Sequence, residues 1–310
     1  MKPFPVLLLV CAVSQDAILN AQASYELRDG YRVDHLFDYD ASAPFEMQVG
    51  GLTLSTRGEP IVNEGGEIRL HSEHGVVVLA SFRPGVFGSF LTLDPDGASV
   101  WFGESSQQNI YRIPLDGSGP QLSDRIGFNF DMAFAPRNAP PGIAGRGFIS
   151  GLGTSPENSL WLLDDDPEGE NDEIISHISP FSGPIAFDEV GNLYLVTSGL
   201  TDRKTGGTSE KLVRFSPAQL AGALGNGALE LSDGELLCTG MGGYYNIAWL
   251  DGKLYGTSLG FQTGVGSIDV IAPAMGFTRR PLARLSLHGT PGGSMLYLAA
   301  RGGREGFEPG

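Results

Sequence analysis

Phe90-Leu91-Thr92-Leu93-Asp94-Pro95-Asp96-Gly97, leading into Val100-Trp101-Phe102, is the segment from which the architecture can be read. A short apolar strand runs into Asp-Pro-Asp-Gly, a tight-turn sequence, and an aromatic-rich strand returns. The unit recurs. Ile185-Ala186-Phe187-Asp188 with Gly191-Asn192 leads into Leu193-Tyr194-Leu195-Val196, and Ile247-Ala248-Trp249-Leu250-Asp251-Gly252 leads into Lys253-Leu254-Tyr255-Gly256. Looser copies are Met132-Ala133-Phe134-Ala135 into Gly147-Phe148-Ile149-Ser150, Gly51-Leu52-Thr53-Leu54 into Pro60-Ile61-Val62, and Gly292-Gly293 before Ser294-Met295-Leu296-Tyr297-Leu298.

Successive units start about 40 to 60 residues apart, the spacing of one small sheet per repeat. The first strand of each is apolar on both faces, as an inner strand between neighbouring sheets requires. Third strands follow, as in Asn109-Ile110-Tyr111-Arg112-Ile113 and Lys211-Leu212-Val213-Arg214-Phe215. A four-stranded sheet cannot bury two faces alone, so the units pack around an axis. The expected fold is all-β: a single β-propeller of about six four-stranded blades. Tyr31-Arg32-Val33-Asp34-His35-Leu36-Phe37 reads as a spare outer strand that closes the ring by pairing into the last, incomplete blade. One helix is expected, Pro217 to Leu224, capped by Ser216 with Pro217 in its first turn.

Residues 1–23 read as a secretory signal peptide: Lys2, an apolar core from Pro5 to Val13, and Ala21-Gln22-Ala23 as the cleavage site. The apolar core is shorter than the roughly 20 residues a membrane span takes, and no later stretch approaches that length. The expected organisation is leader 1–23, propeller 24–300 and a Gly-rich tail 301–310, in a secreted or periplasmic protein without a membrane span. Cys11 leaves with the leader. Cys238 remains alone, in the apolar run Leu236-Leu237-Cys238, as a buried inert thiol. The net charge of −16 comes with no basic cluster, which excludes nucleic acid as a partner. It serves either solubility or cation binding.

The run from Leu93-Asp94-Pro95-Asp96-Gly97 through Ile110-Tyr111-Arg112 to Leu115-Asp116-Gly117 resembles a blade of the gluconolactonase (senescence-marker) and NHL-type propellers. Gly183 to Asp188, Gly191-Asn192-Leu193-Tyr194 and Arg214-Phe215-Ser216-Pro217-Ala218-Gln219-Leu220 are similar to repeats of exported bacterial NHL-like proteins of unknown role. The resemblance spans most of residues 45 to 300. Many of those proteins carry a C-terminal sorting tail (Pro-Glu-Pro, an apolar helix, basic residues), and this chain has none. The resemblance also implies a place for a divalent metal, held in the lactonases by a Glu, two Asn and an Asp. At comparable places this chain has Ser89, Phe130, Gly183 and Tyr245, and no Pro-Asn-Gly occurs. The lactonase metal site does not transfer.

Two groups of residues are candidates for function. Asn129-Phe130-Asp131 and Tyr244-Tyr245-Asn246 stand where inner strands begin, at one mouth of the axial channel. Asn129, Asp131 and Asn246 bring polar groups there, and Tyr244 and Tyr245 bring rings that stack on a sugar-like ligand. The alternative is that Asp131 and Asn246 satisfy local backbone groups. Asp164-Asp165-Asp166-Pro167-Glu168-Gly169-Glu170-Asn171-Asp172-Glu173 is the second group. Asp164, Asp166, Glu168 and Asp172 would give Ca²⁺ its hard oxygens, although Ile175 stands where an EF-hand-like loop has its bidentate Glu. The alternative is a solvated acidic loop. His71-Ser72-Glu73-His74-Gly75 reads as a hairpin tip, His177 and His288 stand alone, and no order of Ser, His and Asp forms a triad. The leading expectation is a non-catalytic exported propeller binding a small molecule, a glycan or a protein. A lactonase-like hydrolase or lyase and an envelope-associated structural protein are the alternatives.

Overall fold

The computed structural model describes residues 7–12, 23–27, 51–64, 66–83, 86, 88–104, 108–152, 158–164, 169–179, 182–197, 210–240, 244–258, 265–287 and 296–301. Two N-terminal strands come first, β1 (Leu7–Ala12) and β2 (Ala23–Leu27). Blade one is β3 (Leu52–Leu54), β4 (Pro60–Glu64), β5 (Glu67–Ser72) and β6 (Gly75–Ser81). Blade two is β7 (Gly88–Leu93), β8 (Ser99–Glu104), β9 (Asn109–Pro114) and β10 (Gln121–Arg125). Blade three is β11 (Asp131–Phe134), β12 (Gly147–Leu152), β13 (Asn158–Leu162) and β14 (Asp172–Ile178).

Blade four is β15 (Ile185–Phe187), β16 (Leu193–Val196), β17 (Lys211–Phe215) and β19 (Glu235–Thr239). Between its last two strands runs an excursion: the helix α1 (Pro217–Ala223), then β18 (Leu229–Glu230), which adds a parallel edge to β14 of blade three. Blade five is β20 (Tyr244–Leu250), β21 (Lys253–Ser258), β22 (Val265–Ile271) and β23 (Arg279–Leu287). The backbone of β2 pairs antiparallel with β23 on its outer edge. Among the described residues the last strand, β24 (Leu296–Arg301), pairs only with β1.

The fold is thus a single all-β propeller of small antiparallel sheets. Among the described residues it has five blades, not six. Of the final repeat the described part is β24, which forms a two-stranded sheet with β1 among the described residues. Tyr31 to Phe37, expected to close the ring, lies outside the described residues, as do His288 and the tail from 302.

Inner strands β3, β7, β11, β15 and β20 stand side by side in that order, and β24 lies beside both β20 and β3. The core is a series of layers between blades. Phe102, Ile61 and Ile68 meet between blades one and two, and Phe148, Ile175, Leu193 and Phe215 between three and four. One detail departs from expectation. The strands buried throughout are the second ones, such as β8 and β16, whereas β11 and β20 keep half-exposed residues. The reason is geometric: an inner strand has a blade on each side but an open axis along its edge.

The turns obey the chemistry of their residues. Asp251 and Gly252 both take positive φ, 49° and 71°, as a two-residue hairpin of the mirror-image type requires. The helix starts as expected and stops one residue earlier, at Ala223. Ser216 and Gln219 form a reciprocal capping box, and Leu220 and Ala223 are buried. Replacing Ser216 by Ala is expected to cost about 1 kcal/mol. Urea denaturation of the S216A protein checks this, and an unchanged midpoint would contradict it.

Candidate functional site

The inner strands enclose an axial cavity of about 570 Å³. It is lined by Leu52 to Thr56, Leu91 to Leu93, Asp131 to Phe134, Ile185 to Phe187 and Asn246 to Trp249. Of the expected ligand residues, the fold brings Asp131 and Asn246 to this cavity. Asn129, Tyr244 and Tyr245 do not line it.

Among the described residues, Asp131 is the one ionisable group in the lining. It opens β11, and the residue is 5 % exposed. One carboxylate oxygen accepts the N–H of Met132 at 2.9 Å and the other the N–H of Ile185 at 2.9 Å, so the group joins the inner strands of blades three and four. Burial pushes its pKa up to about 7, because the loss of water outweighs the two N–H donors that favour the charged form. A similar tie runs from blade two, where Thr92 Oγ1 donates to the carbonyl of Met132 at 2.9 Å. The alternative reading of Asp131, as a partner for backbone groups, is therefore what its geometry displays, in a position that also faces the cavity.

Asn129 is built into the wall between blades two and three. Its Oδ1 accepts from Ser89 Oγ, and its Nδ2 donates to the carbonyl of Ile126 at 3.1 Å. Tyr244 points into blade five, where its hydroxyl donates to Asp269 Oδ2 at 2.6 Å beneath Arg279. Burial, and then the Asp269 charge, raises its pKa well above the usual phenol value. Removing that hydroxyl leaves Asp269 with one partner fewer in a buried site. Y244F is expected to lose about 1 to 3 kcal/mol, read from its urea midpoint, and wild-type stability would show that this bond contributes nothing.

Tyr245 falls where the β20–β21 register shifts between Tyr244 and Asn246, and its side chain leads elsewhere. Its ring meets that of Phe130 with centroids 5.3 Å apart. The two residues enter β20 and β11, which flank β15, so the rings meet beside the N-terminal mouth of the channel. The acidic loop is only partly visible. Asp166 and Glu168 lie outside the described residues, and Asp164 and Asp172 are exposed. Asp164 donates its N–H to Asn171 Oδ1 at 3.1 Å, and Asn171 reaches across to Asp124 of blade two at 2.9 Å. Among the described residues, no three or more His, Cys, Asp or Glu converge on one point. His71 lies within β5 rather than at the tip, 3.1 Å from Glu64, while His74 is exposed. His177 faces Glu230 at 2.9 Å. Cys238 is half-buried, and burial pushes its thiol up.

Sequence reasoning missed the opposite, C-terminal mouth. There a second cavity of about 360 Å³ is lined by Phe134, Pro136, Phe187, Asp188, Glu189, Trp249, Leu250 and Asp251. Trp249 stacks on Tyr194 with centroids 4.8 Å apart and donates its indole N–H to Glu189 Oε2 at 2.7 Å. A signal was present: repeats that end their inner strand on a large side chain and an acidic turn stack those copies at one mouth.

The ring of short sheets around an axis defines the class, a β-propeller, and its structural neighbours are propellers of the NHL and gluconolactonase type. One is a chain of the nidogen/laminin complex, 13% identical with a TM-score of 0.58, matching 81% of this chain and 84% of that one. A second is the catalytically inactive virginiamycin B lyase of Staphylococcus aureus with quinupristin, 13% identical, TM-score 0.53, matching 92% of this chain and 90% of that one. A third is regucalcin, a calcium-binding protein of Agrobacterium tumefaciens, 13% identical, TM-score 0.51, matching 81% and 74%. Neither a protein-family model nor a curated protein sequence matches the chain.

Proposed function

We propose that the protein is an exported propeller that binds a small ligand in its axial channel without transforming it. The observation that supports this reading is the cavity lining: one ionisable side chain among the described residues, Asp131, with both carboxylate oxygens bonded to backbone N–H groups. Acid–base chemistry generally needs two groups of separated pKa, or one group free to reach substrate. Asn246 and the channel-facing threonines then orient a ligand, with Phe130 and Tyr245 beside its entrance. A thermal-shift screen of sugars, lactones and divalent metals tests this. A ligand at about 100 times its Kd adds about 2.7 kcal/mol of stability, and N246A is expected to lose that gain while still folding. Wild-type response in N246A would remove Asn246 from the site.

The hydrolase or lyase reading keeps one supporting observation, the Asp131 pKa near neutrality. It requires turnover of a lactone by wild type and its loss in D131N.

Export belongs to the same proposal. Cleavage after Ala23 retains Ser24 to Leu27 on the edge of blade five and removes β1, the partner of β24. Intact-mass analysis of protein secreted from a bacterial host is expected to show a chain beginning at Ser24. A secreted chain beginning at Met1 would instead assign β1 permanently to the ring.

A further inference from the structure

We propose that the C-terminal mouth of the channel binds an organic cation, an ammonium group carried on an apolar body. The inference rests on the channel-binding reading and names its ligand class. It starts from a donor and acceptor inventory. Phe134, Pro136, Phe187 and Leu250 offer the cavity no polar side-chain atoms, and ionised Asp188, Glu189 and Asp251 only accept hydrogen bonds. The single side-chain donor among the described lining residues, the Trp249 indole N–H, is committed to Glu189. A sugar's hydroxyls both donate and accept, so this lining meets only part of their capacity, whereas an ammonium group only donates and is matched in full.

The carboxylates have distinct duties. Asp188 is consumed by its own turn and neighbours: it accepts from the N–H groups of Val190 and Asn192, from Asn192 Nδ2 and from Tyr194 Oη. Glu189 holds the indole through Oε2, while its Oε1 has no partner among the described residues. Asp251 has none there either, and both residues are exposed at the rim. Among the described residues, no Lys, Arg or His lines this mouth or the channel above it.

The rings supply the other half of the site. Trp249 is held on one side by Tyr194, and it lines both cavities, so mouth and channel adjoin at its ring. Phe134 and Phe187 are likewise common to both cavities. Aromatic faces attract a desolvated cation through the ring quadrupole, tryptophan most strongly. An apolar body then extends towards Ile185, Ile247 and Leu93 in the channel.

Calorimetric titration of the purified protein with choline and with 2-phenylethylammonium, at fixed ionic strength, tests the proposal against the uncharged isostere 3,3-dimethylbutanol. Saturable binding of the cations is expected, about tenfold or more tighter than the isostere. E189Q preserves an acceptor for the indole, so the E189Q/D251N protein is expected to keep its melting temperature and bind the cations about tenfold more weakly. Equal affinity for the isostere, no saturable heat with either cation, or undiminished cation binding in that variant overturns the proposal. A sugar or lactone that stabilises wild type and the variant equally overturns the cation assignment alone. Absence of stabilisation by any ligand, cations included, defeats the channel reading as well.

Discussion

The stability of wild type is expected to fall relative to that of the D131N protein as pH rises from about 5 to about 8. Asparagine matches the buried carboxyl in shape and does not titrate, but its amide nitrogen cannot accept, so one of the Met132 and Ile185 N–H groups loses its partner at every pH. Wild-type Asp131 carries its proton in the folded state up to about pH 7, whereas the unfolded chain releases it near the ordinary carboxylate value, 3.8. Below that lower value both states hold the proton and folding costs nothing at this residue. As pH rises between the two values, the folded state binds more protons than the unfolded one, so stability falls; above about 7 the loss is complete. From about pH 5 to about pH 8 the residue is expected to cost on the order of 3 kcal/mol, since each pKa unit is worth about 1.4 kcal/mol. Urea denaturation of both proteins at the two pH values measures it. Parallel pH dependence would mean that Asp131 ionises normally and is not desolvated in the channel wall.

G103A is expected to be among the most damaging single-methyl changes in the chain, about 3 kcal/mol or more. Gly103 lies in β8, the second strand of blade two, under the Ser89–Asn129 bond. A Cβ there would come within 2.3 Å of the Phe90 ring, 2.5 Å of Asn129 Oδ1 and 2.5 Å of Ser89 Oγ. The ring and both polar atoms are in the core, so relief requires breaking a buried hydrogen bond or shifting blade three away from blade two. Gly222 supplies the contrast. It lies in α1 with nothing near a new Cβ, and G222A should gain about 0.5 to 1 kcal/mol from helix propensity. Equal effects of the two substitutions, read from denaturation midpoints, would refute the close packing at Gly103.

How far these features are legible in the sequence depends on the range of the interaction. Asp94 to Gly97, Gly191-Asn192 and Asp251-Gly252 are local signals, and each makes the turn its residues specify. The helix from Pro217 is equally legible, since Ser216 and Gln219 cap it within four residues. The blade count is not, because a repeat announces an inner strand while its outer strands depend on the chain beyond it; among the described residues the final unit has one partner strand, β1. The site is only half legible. Asp131 stands out because it begins a repeat, but its partner, the Ile185 N–H, lies in the next blade and leaves no trace near it in sequence. Tyr244 and Tyr245 look alike as letters, yet at a shift of register in β20 one goes to Asp269 and the other to Phe130. The Trp249 mouth is hidden because a tryptophan in an apolar strand reads as core until the copies are superposed.

The central claim is that the ligand occupies the axis of the ring. Ala248 lines the cavity on β20, and the A248W side chain would fill the space between the inner strands. The decisive measurement is the melting temperature of A248W with and without whichever ligand stabilises wild type most, with circular dichroism as the check on folding. Occupation of the channel requires the ligand-induced rise to vanish in the folded variant. A rise equal to that of wild type would place the ligand elsewhere on the molecule and contradict the account.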